Sequence, residues 1–182
     1  AKVYAWEAKK IINPEAFDVA EKKLIQLAMW ASEPIAFDPM EIALHKAYSD
    51  LFPDDERTHF KLVHEYPLDG KPPMMTHIFE SKYGEKIIAA KGAPEALMAI
   101  ANLSAVDKKA IEVIIKEITS EGYRILGVGE ATFSGNDYPK SQQEFQFEFR
   151  GIVAFYDPPK KNIHVVLQHF YKAGIAVKII TG

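Results

Sequence analysis

The sequence predicts an α+β fold: an antiparallel β-sheet flanked by helices and followed by a short α/β fragment. Three observations predict it. Between Phe60 and Ala90, three strand-like runs are joined by short links containing Gly and Pro, and such links make hairpins. On either side of them lie stretches whose apolar residues recur at helical spacing. Near the end, a helical stripe leads into a continuous apolar run, the pattern of an α/β unit. The totals set bounds. A chain of 182 residues, 48% hydrophobic and 26% charged, can bury a sizeable core as a globular protein. A net charge of -3 gives no reason to expect nucleic acid or an anionic membrane surface as a partner, so any anion site is local. The lack of cysteine excludes disulfides and thiolate metal sites. No run approaches the roughly 18 apolar residues of a membrane span, and the start, Ala1 to Trp6, is not a signal peptide.

Taken in order, Val3 to Trp6 is a short aromatic and β-branched run expected as an edge strand. Asn13-Pro14 reads as the cap and first residue of a helix carrying Phe17, Ala20, Leu24, Leu27, Ala28 and Ala31. Asp38-Pro39 repeats that start, and Glu41 has capping-box spacing from Asp38. Leu51 to Arg57 is a polar loop. Phe60, Leu62, His64 and Tyr66 then alternate with Lys61, Val63 and Glu65, and Met74 to Phe79 and Lys86 to Ala90 supply two further strands. Asp69-Gly70-Lys71-Pro72-Pro73 and Ser81 to Glu85 are the links. A short helix runs through Leu97 and Ile100. A longer one starts at Ser104, buries Ile111, Ile114, Ile115 and Ile118, and closes at Glu121-Gly122. Tyr123 to Gly129 is a strand; its Gly127-Val128-Gly129 precedes no helix and is no dinucleotide fingerprint. Phe145 to Phe149 alternates as a strand and continues to Phe155, until Tyr156-Asp157-Pro158-Pro159-Lys160 breaks it. Ile163, Val166, Leu167 and Phe170 mark a last helix, and Ile175 to Ile180 a buried strand. His59, His64 and His77 fall on strands. With no Cys and no carboxylate at ligand spacing they read as surface or hydrogen-bonded histidines, and no metal site is expected.

The stretch Ile87 to Glu95 carries the clearest chemical signal. An apolar run delivers Lys91-Gly92, and Pro94 follows at what looks like a helix start. A flexible ammonium beside free N–H groups and a positive dipole end suits an anion. The same residues also allow a blander role, in which Lys91 ends an edge strand and Gly92 to Pro94 merely turn the chain.

The string Lys91-Gly92-Ala93-Pro94-Glu95 resembles the nucleotide-domain signature of the P-type cation-transporting ATPases, most of all the branch of calcium, sodium/potassium and proton pumps. Four further segments match in order. Asp38 to Leu44 resembles the family's D-P-T-E-x-A-L, with Met40 for Thr and Phe37 before it for Gly. Pro67-Leu68, then Met75-Thr76, resembles P-F followed by M-S, with Leu68 in the aromatic position. Tyr123 to Gly129 resembles the G-(Y/L)-R-(apolar)-L segment, and Gly151 to Lys160 the D-P-P-R hinge with Lys160 for Arg. The resemblance implies that Glu41 reaches the adenine amino group, that Leu68 and Leu126 sandwich the base, and that Lys91 contacts phosphate or sugar. Gly92 and Met75 line the same pocket, and Arg124 binds phosphate. Leu68 lacks a ring's flat area and quadrupole, which weakens stacking. Tyr66, two residues earlier and expected on the same face, is the nearest ring, with a core position its expected role.

By the same resemblance, residues 1–155 are a nucleotide-binding domain and 156–182 a fragment of a phosphorylation domain of the haloacid dehalogenase-like type. Asp157, Thr181 and Gly182 belong to the hinge and phosphorylation site. The implied ligands are ATP and ADP, with Mg2+ in the full-length enzyme. The implied partners are the phosphorylation, actuator and transmembrane domains of the same pump. The implied location is the cytoplasmic side of an integral plasma- or inner-membrane protein, without direct membrane contact. Neither the family's D-K-T-G-T nor its G-D-G-x-x-N-D occurs in the sequence. No catalytic residue is therefore expected, and the chain reads as an excised fragment that binds nucleotide without turnover. The rival is a nucleotide-independent interaction or autoinhibitory module on the same fold, which Leu68 favours. Ion specificity rests on intramembrane side chains that this sequence does not contain.

Overall fold

The computed structural model describes residues 2–135, 137–156 and 161–178. Its centre is a seven-stranded antiparallel sheet of β1 (Lys2–Ala5), β2 (Lys10–Ile12), β3 (Phe60–Asp69), β4 (Met74–Ser81), β5 (Lys86–Gly92), β6 (Tyr123–Ala131) and β7 (Phe147–Tyr156), ordered β2-β1-β7-β6-β5-β4-β3. Period-two side chains feed two cores. Helices α1 (Val19–Trp30) and α2 (Pro39–Leu51) cover one face over Val3, Phe79, Ala89, Val128 and Val153. Helices α3 (Pro94–Ile100) and α4 (Ala105–Ser120) cover the other over Ile78, Ile88, Phe147 and Ile152. This is the α+β architecture the hairpins predict.

Helix starts follow local chemistry. The Ser104 side chain accepts from Asp107 N, and Asp107 returns the bond to the Ser104 backbone. In α1 the cap is Asp18, in a capping box with Glu21, whereas Asn13-Pro14 opens only a separate 3-10 turn. The start expected at Asn13 thus falls five residues early, because Asp18 offers two reciprocal bonds and Asn13 none. The last helix, α5 (Ile163–Lys172), forms as expected, but none of its side chains is buried.

Other expectations change. β1 is internal, paired with both β2 and β7, so the edge falls to the three-residue β2. The last strand begins at Phe147, after a 3-10 turn at Gln142–Glu144 has carried Phe145 into the core. Residues 175–178 form no strand, and Ile175 is half exposed, since a parallel strand needs a neighbour to accept its hydrogen bonds. A register shift between Tyr66 and Asp69 sends Tyr66 and Leu68 to opposite faces. Tyr66 is buried against Phe145 and donates its hydroxyl to Pro139 O at 2.5 Å, while Leu68 is 64% exposed.

One clamp fixes that irregular hairpin. Gln142 Nε2 donates to Met74 O at 2.9 Å and Pro67 O at 3.3 Å, and its Oε1 accepts from Thr76 Oγ1 at 2.8 Å.

Candidate functional site

Glu41 is placed by its helix start. Asp38 Oδ1 accepts from Met40 N at 2.8 Å and Glu41 N at 3.0 Å, and Pro39 supplies the preset φ of the first turn. Glu41 does not return the capping bond. Its carboxylate turns inward and is only 6% exposed. Lys91 reaches it from β5, 4% exposed, in register with Met75 on β4. The ammonium donates to Glu41 Oε1 and to Ser32 Oγ, the latter at 2.8 Å, and Ser32 in turn donates to Ala28 O at 2.7 Å. Lys91 is therefore a buried, paired cation rather than the free ammonium at a strand mouth that its sequence position implies.

Two oppositely charged groups taken out of water need good geometry and full hydrogen bonding to break even. Here the bonding is incomplete. Glu41 Oε2 is buried without a hydrogen-bond partner among the described residues, and His45 Nε2 stands 3.7 Å away, bonded instead to Glu33 O at 3.0 Å. Ser32 and Glu41 occupy two of the three Lys91 donors. Burial pulls the Lys91 ammonium down to about 8, against the opposing charges of Asp38 and Glu33. The adjacent Glu41 carboxylate, in direct contact, also favours the protonated form.

These groups open into a pocket lined by Asp38, Met40, Glu41, Leu44, Leu68, Met75, Lys91, Gly92 and Leu126. Six residues expected from sequence at the site, Lys91, Glu41, Leu68, Leu126, Gly92 and Met75, thus share one cavity. Arg124 does not line it. It is exposed on β6 two residues before Leu126, on the same sheet face. Asp157, Thr181 and Gly182 lie outside the described residues.

The helix start after Lys91 does not join the site. A Cβ at Gly92 would come within 2.5 Å of Pro73 O and Met74 Cα, so the glycine admits another backbone. Its partner across the ladder is Gly127, where a Cβ would lie 2.8 Å from Pro94 Cα. Helix α3 packs there, on the face opposite the ammonium, and Ala93 N donates to Pro73 O at 2.9 Å. Sequence reasoning also missed Ser32, for which no local signal exists, and His45, which its four-residue spacing from Glu41 could have shown.

The histidines divide. His59 is exposed, and His64 stacks edge-on against Tyr66. His77 is neither at the surface nor hydrogen-bonded: it is fully buried, and no described residue bonds either ring nitrogen.

A family model described as the P-type ATPase cytoplasmic domain N matches residues 32–162. A sodium/potassium exporting P-type ATPase of Schizosaccharomyces pombe is 30% identical over 158 residues, covering 80% of this chain and 15% of that protein. A probable cation-transporting P-type ATPase of Mycoplasma genitalium is 32% identical over 149 residues, 80% of this chain and 17% of that protein. A calcium-transporting ATPase of Bacillus subtilis is 26% identical over 136 residues, 69% of this chain and 15% of that protein. The chain thus spans well under a fifth of the length of these relatives. Among the described residues, no helix is long and apolar enough to cross a membrane.

Proposed function

Since the chain belongs to the P-type ATPases, as their cytoplasmic domain N, we propose that it binds the adenine nucleotide that drives cation transport in a parent pump. The observation that carries this reading is Glu41 Oε2: a buried acceptor without a partner among the described residues, set in a pocket walled by Leu44, Leu68, Met75 and Leu126. Such a pocket suits a flat heterocycle with an exocyclic amine. The base slides between Leu68 and Leu126, its amine donates to Glu41 Oε2, and Met75 packs beneath it. Lys91 holds the carboxylate in place and turns its remaining donor to the nucleotide. Gly92 lines the pocket through its backbone, and Arg124, on the same sheet face as Leu126, reaches the phosphates as a fork of donors.

The site supplies recognition and no nucleophile. Residues 1–155 act as the nucleotide-binding domain, and residues 156–182 begin the phosphorylation domain. Bound ATP is carried across the Asp157 hinge to an aspartate elsewhere in the pump, with Thr181 and Gly182 near that chemistry. The phosphates there are held with Mg2+, so this chain alone does not hydrolyse ATP. The phosphorylation, actuator and transmembrane domains of the same pump are its partners, and it works on the cytoplasmic side of the membrane. With one guanidinium and an aliphatic clamp, affinity is modest, and ATP and ADP bind alike.

An amide-shift titration of the 182-residue chain with ATP and ADP, with and without Mg2+, tests this. Shifts are expected around Glu41, Leu68, Lys91 and Leu126, with little difference between nucleotides. Shifts elsewhere, or an affinity dominated by the γ-phosphate, overturn the assignment. Leu68, exposed and aliphatic, favours a second reading as a nucleotide-independent interaction or autoinhibitory module. Lys91→Ala separates the two, because an unchanged weak ATP affinity marks nonspecific association.

A further inference from the structure

At the β3 edge of the sheet, on the face that carries the pocket, three groups far apart in sequence converge. His77 on β4 is 0% exposed, yet neither Nδ1 nor Nε2 has a hydrogen-bond partner among the described residues. The Trp30 and Ser32 backbones flank the ring, but no contact to either nitrogen meets the distance and angle of a hydrogen bond. Glu65 stands directly opposite His77 across the β3–β4 ladder, and Glu33 arrives from the segment after α1. A carboxylate oxygen of each glutamate and a ring nitrogen of His77 all lie within 4.8 Å of one another. We propose that Glu33, Glu65 and His77 form a site for a divalent transition-metal ion of the zinc class.

Three arguments carry the assignment. Buried polar nitrogens are nearly always satisfied, and a metal bond satisfies one while fixing the tautomer of the other. Two carboxylates aimed at one point repel each other, and a doubly charged cation between them leaves the cluster neutral. The donor set then selects the ion: calcium and magnesium take all-oxygen shells, copper(I) takes sulfur, and mixed imidazole and carboxylate donors suit zinc and its borderline neighbours. Three protein ligands leave the fourth tetrahedral position to water or a further ligand.

Burial lowers the His77 pKa, opposed by the charges of Glu33 and Glu65. Ligands about 2.0 to 2.2 Å from a tetrahedral ion sit closer together than the observed spread, so loading draws them inward. Glu65, exposed on an edge strand, makes that movement by a change of rotamer and gives the ion its way in.

The test is calorimetric titration of the 182-residue chain with Zn2+, alongside Co2+ absorption and long-range proton–nitrogen spectra of the histidine rings. One ion per chain is expected, with the His77 ring resonances displaced. Glu33→Gln and Glu65→Gln each weaken Zn2+ binding by about tenfold or more, with the fold checked by circular dichroism. His59→Ala, exposed and outside the cluster, leaves it unchanged. Because His77→Gln alters the core, the two carboxylate variants are the deciding ones. Absence of a bound ion, binding indifferent to the double glutamate substitution, or binding lost instead with His59 overturns the proposal.

Discussion

The two faces of the sheet bury polar groups in opposite ways. Under α3 and α4, Thr76 is fully buried, and its hydroxyl meets Gln142, whose amide closes on two backbone carbonyls. Under α1 and α2, Glu41 and His77 are just as enclosed, yet Glu41 Oε2 and both His77 nitrogens find no partner among the described residues. A buried polar atom without a partner costs about 1–3 kcal/mol, so a sheet that tolerates this on one face keeps that face for something other than packing. The contrast separates a core whose polar atoms are paired from one that leaves some unpaired among the described residues.

The contrast breaks most visibly at Glu41. Glu41→Ala strands the buried Lys91 ammonium without its counterion and is expected to cost about 3–5 kcal/mol in urea unfolding. A loss of less than about 1 kcal/mol would mean the pair is already solvated. On the other face, Thr76→Val removes a donor and leaves Gln142 Oε1 facing a methyl group. Unfolding free energy is expected to drop by about 1–3 kcal/mol with ATP affinity unchanged, and a matching loss of affinity would show that the two faces are not independent. Leu68→Phe sharpens the comparison from the ligand side. It adds a ring at an exposed position, so stability stays within about 0.5 kcal/mol while ATP binding, read by fluorescence titration, gains about 1 kcal/mol.

The smallest effect is on pH. Burial holds Lys91 down to about 8, below the usual lysine range. Phosphates are already ionised there, and the attractive charge is lost as pH rises through that value, so ATP affinity falls a few-fold across it. A profile that stays level from about pH 7 to about pH 9 removes Lys91 from the binding surface.

Much of this was legible in the sequence. The hairpins from Phe60 to Ala90 announced themselves through Gly and Pro links, because turn chemistry is local. The pocket residues were found through short strings that keep their order. What stayed hidden depended on register and long-range pairing. That Lys91 would turn to Glu41 and Ser32 rather than to the helix after it depends on which side of β5 it occupies, and helix-start chemistry does not decide that. Glu65 faces His77 only once β3 and β4 are aligned, so linear spacing shows no ligand pair. The internal place of β1, next to the edge, was missed because four residues carry no mark of having two neighbours. Asp18 differs: its Glu21 partner stands three residues on, but Asn13-Pro14 carries the same cap-and-proline signal and opens only a 3-10 turn.

The Gln142 clamp has a bearing on motion. Strand ends and hairpin tips ordinarily fray, exchanging their amide hydrogens with solvent long before the rest of the chain opens. Here a side chain arriving from between β6 and β7 staples both sides of the tip beside Leu68. The lip of the pocket is thereby tied to the central sheet, and a molecule entering it meets a preset jaw rather than one it must first gather in.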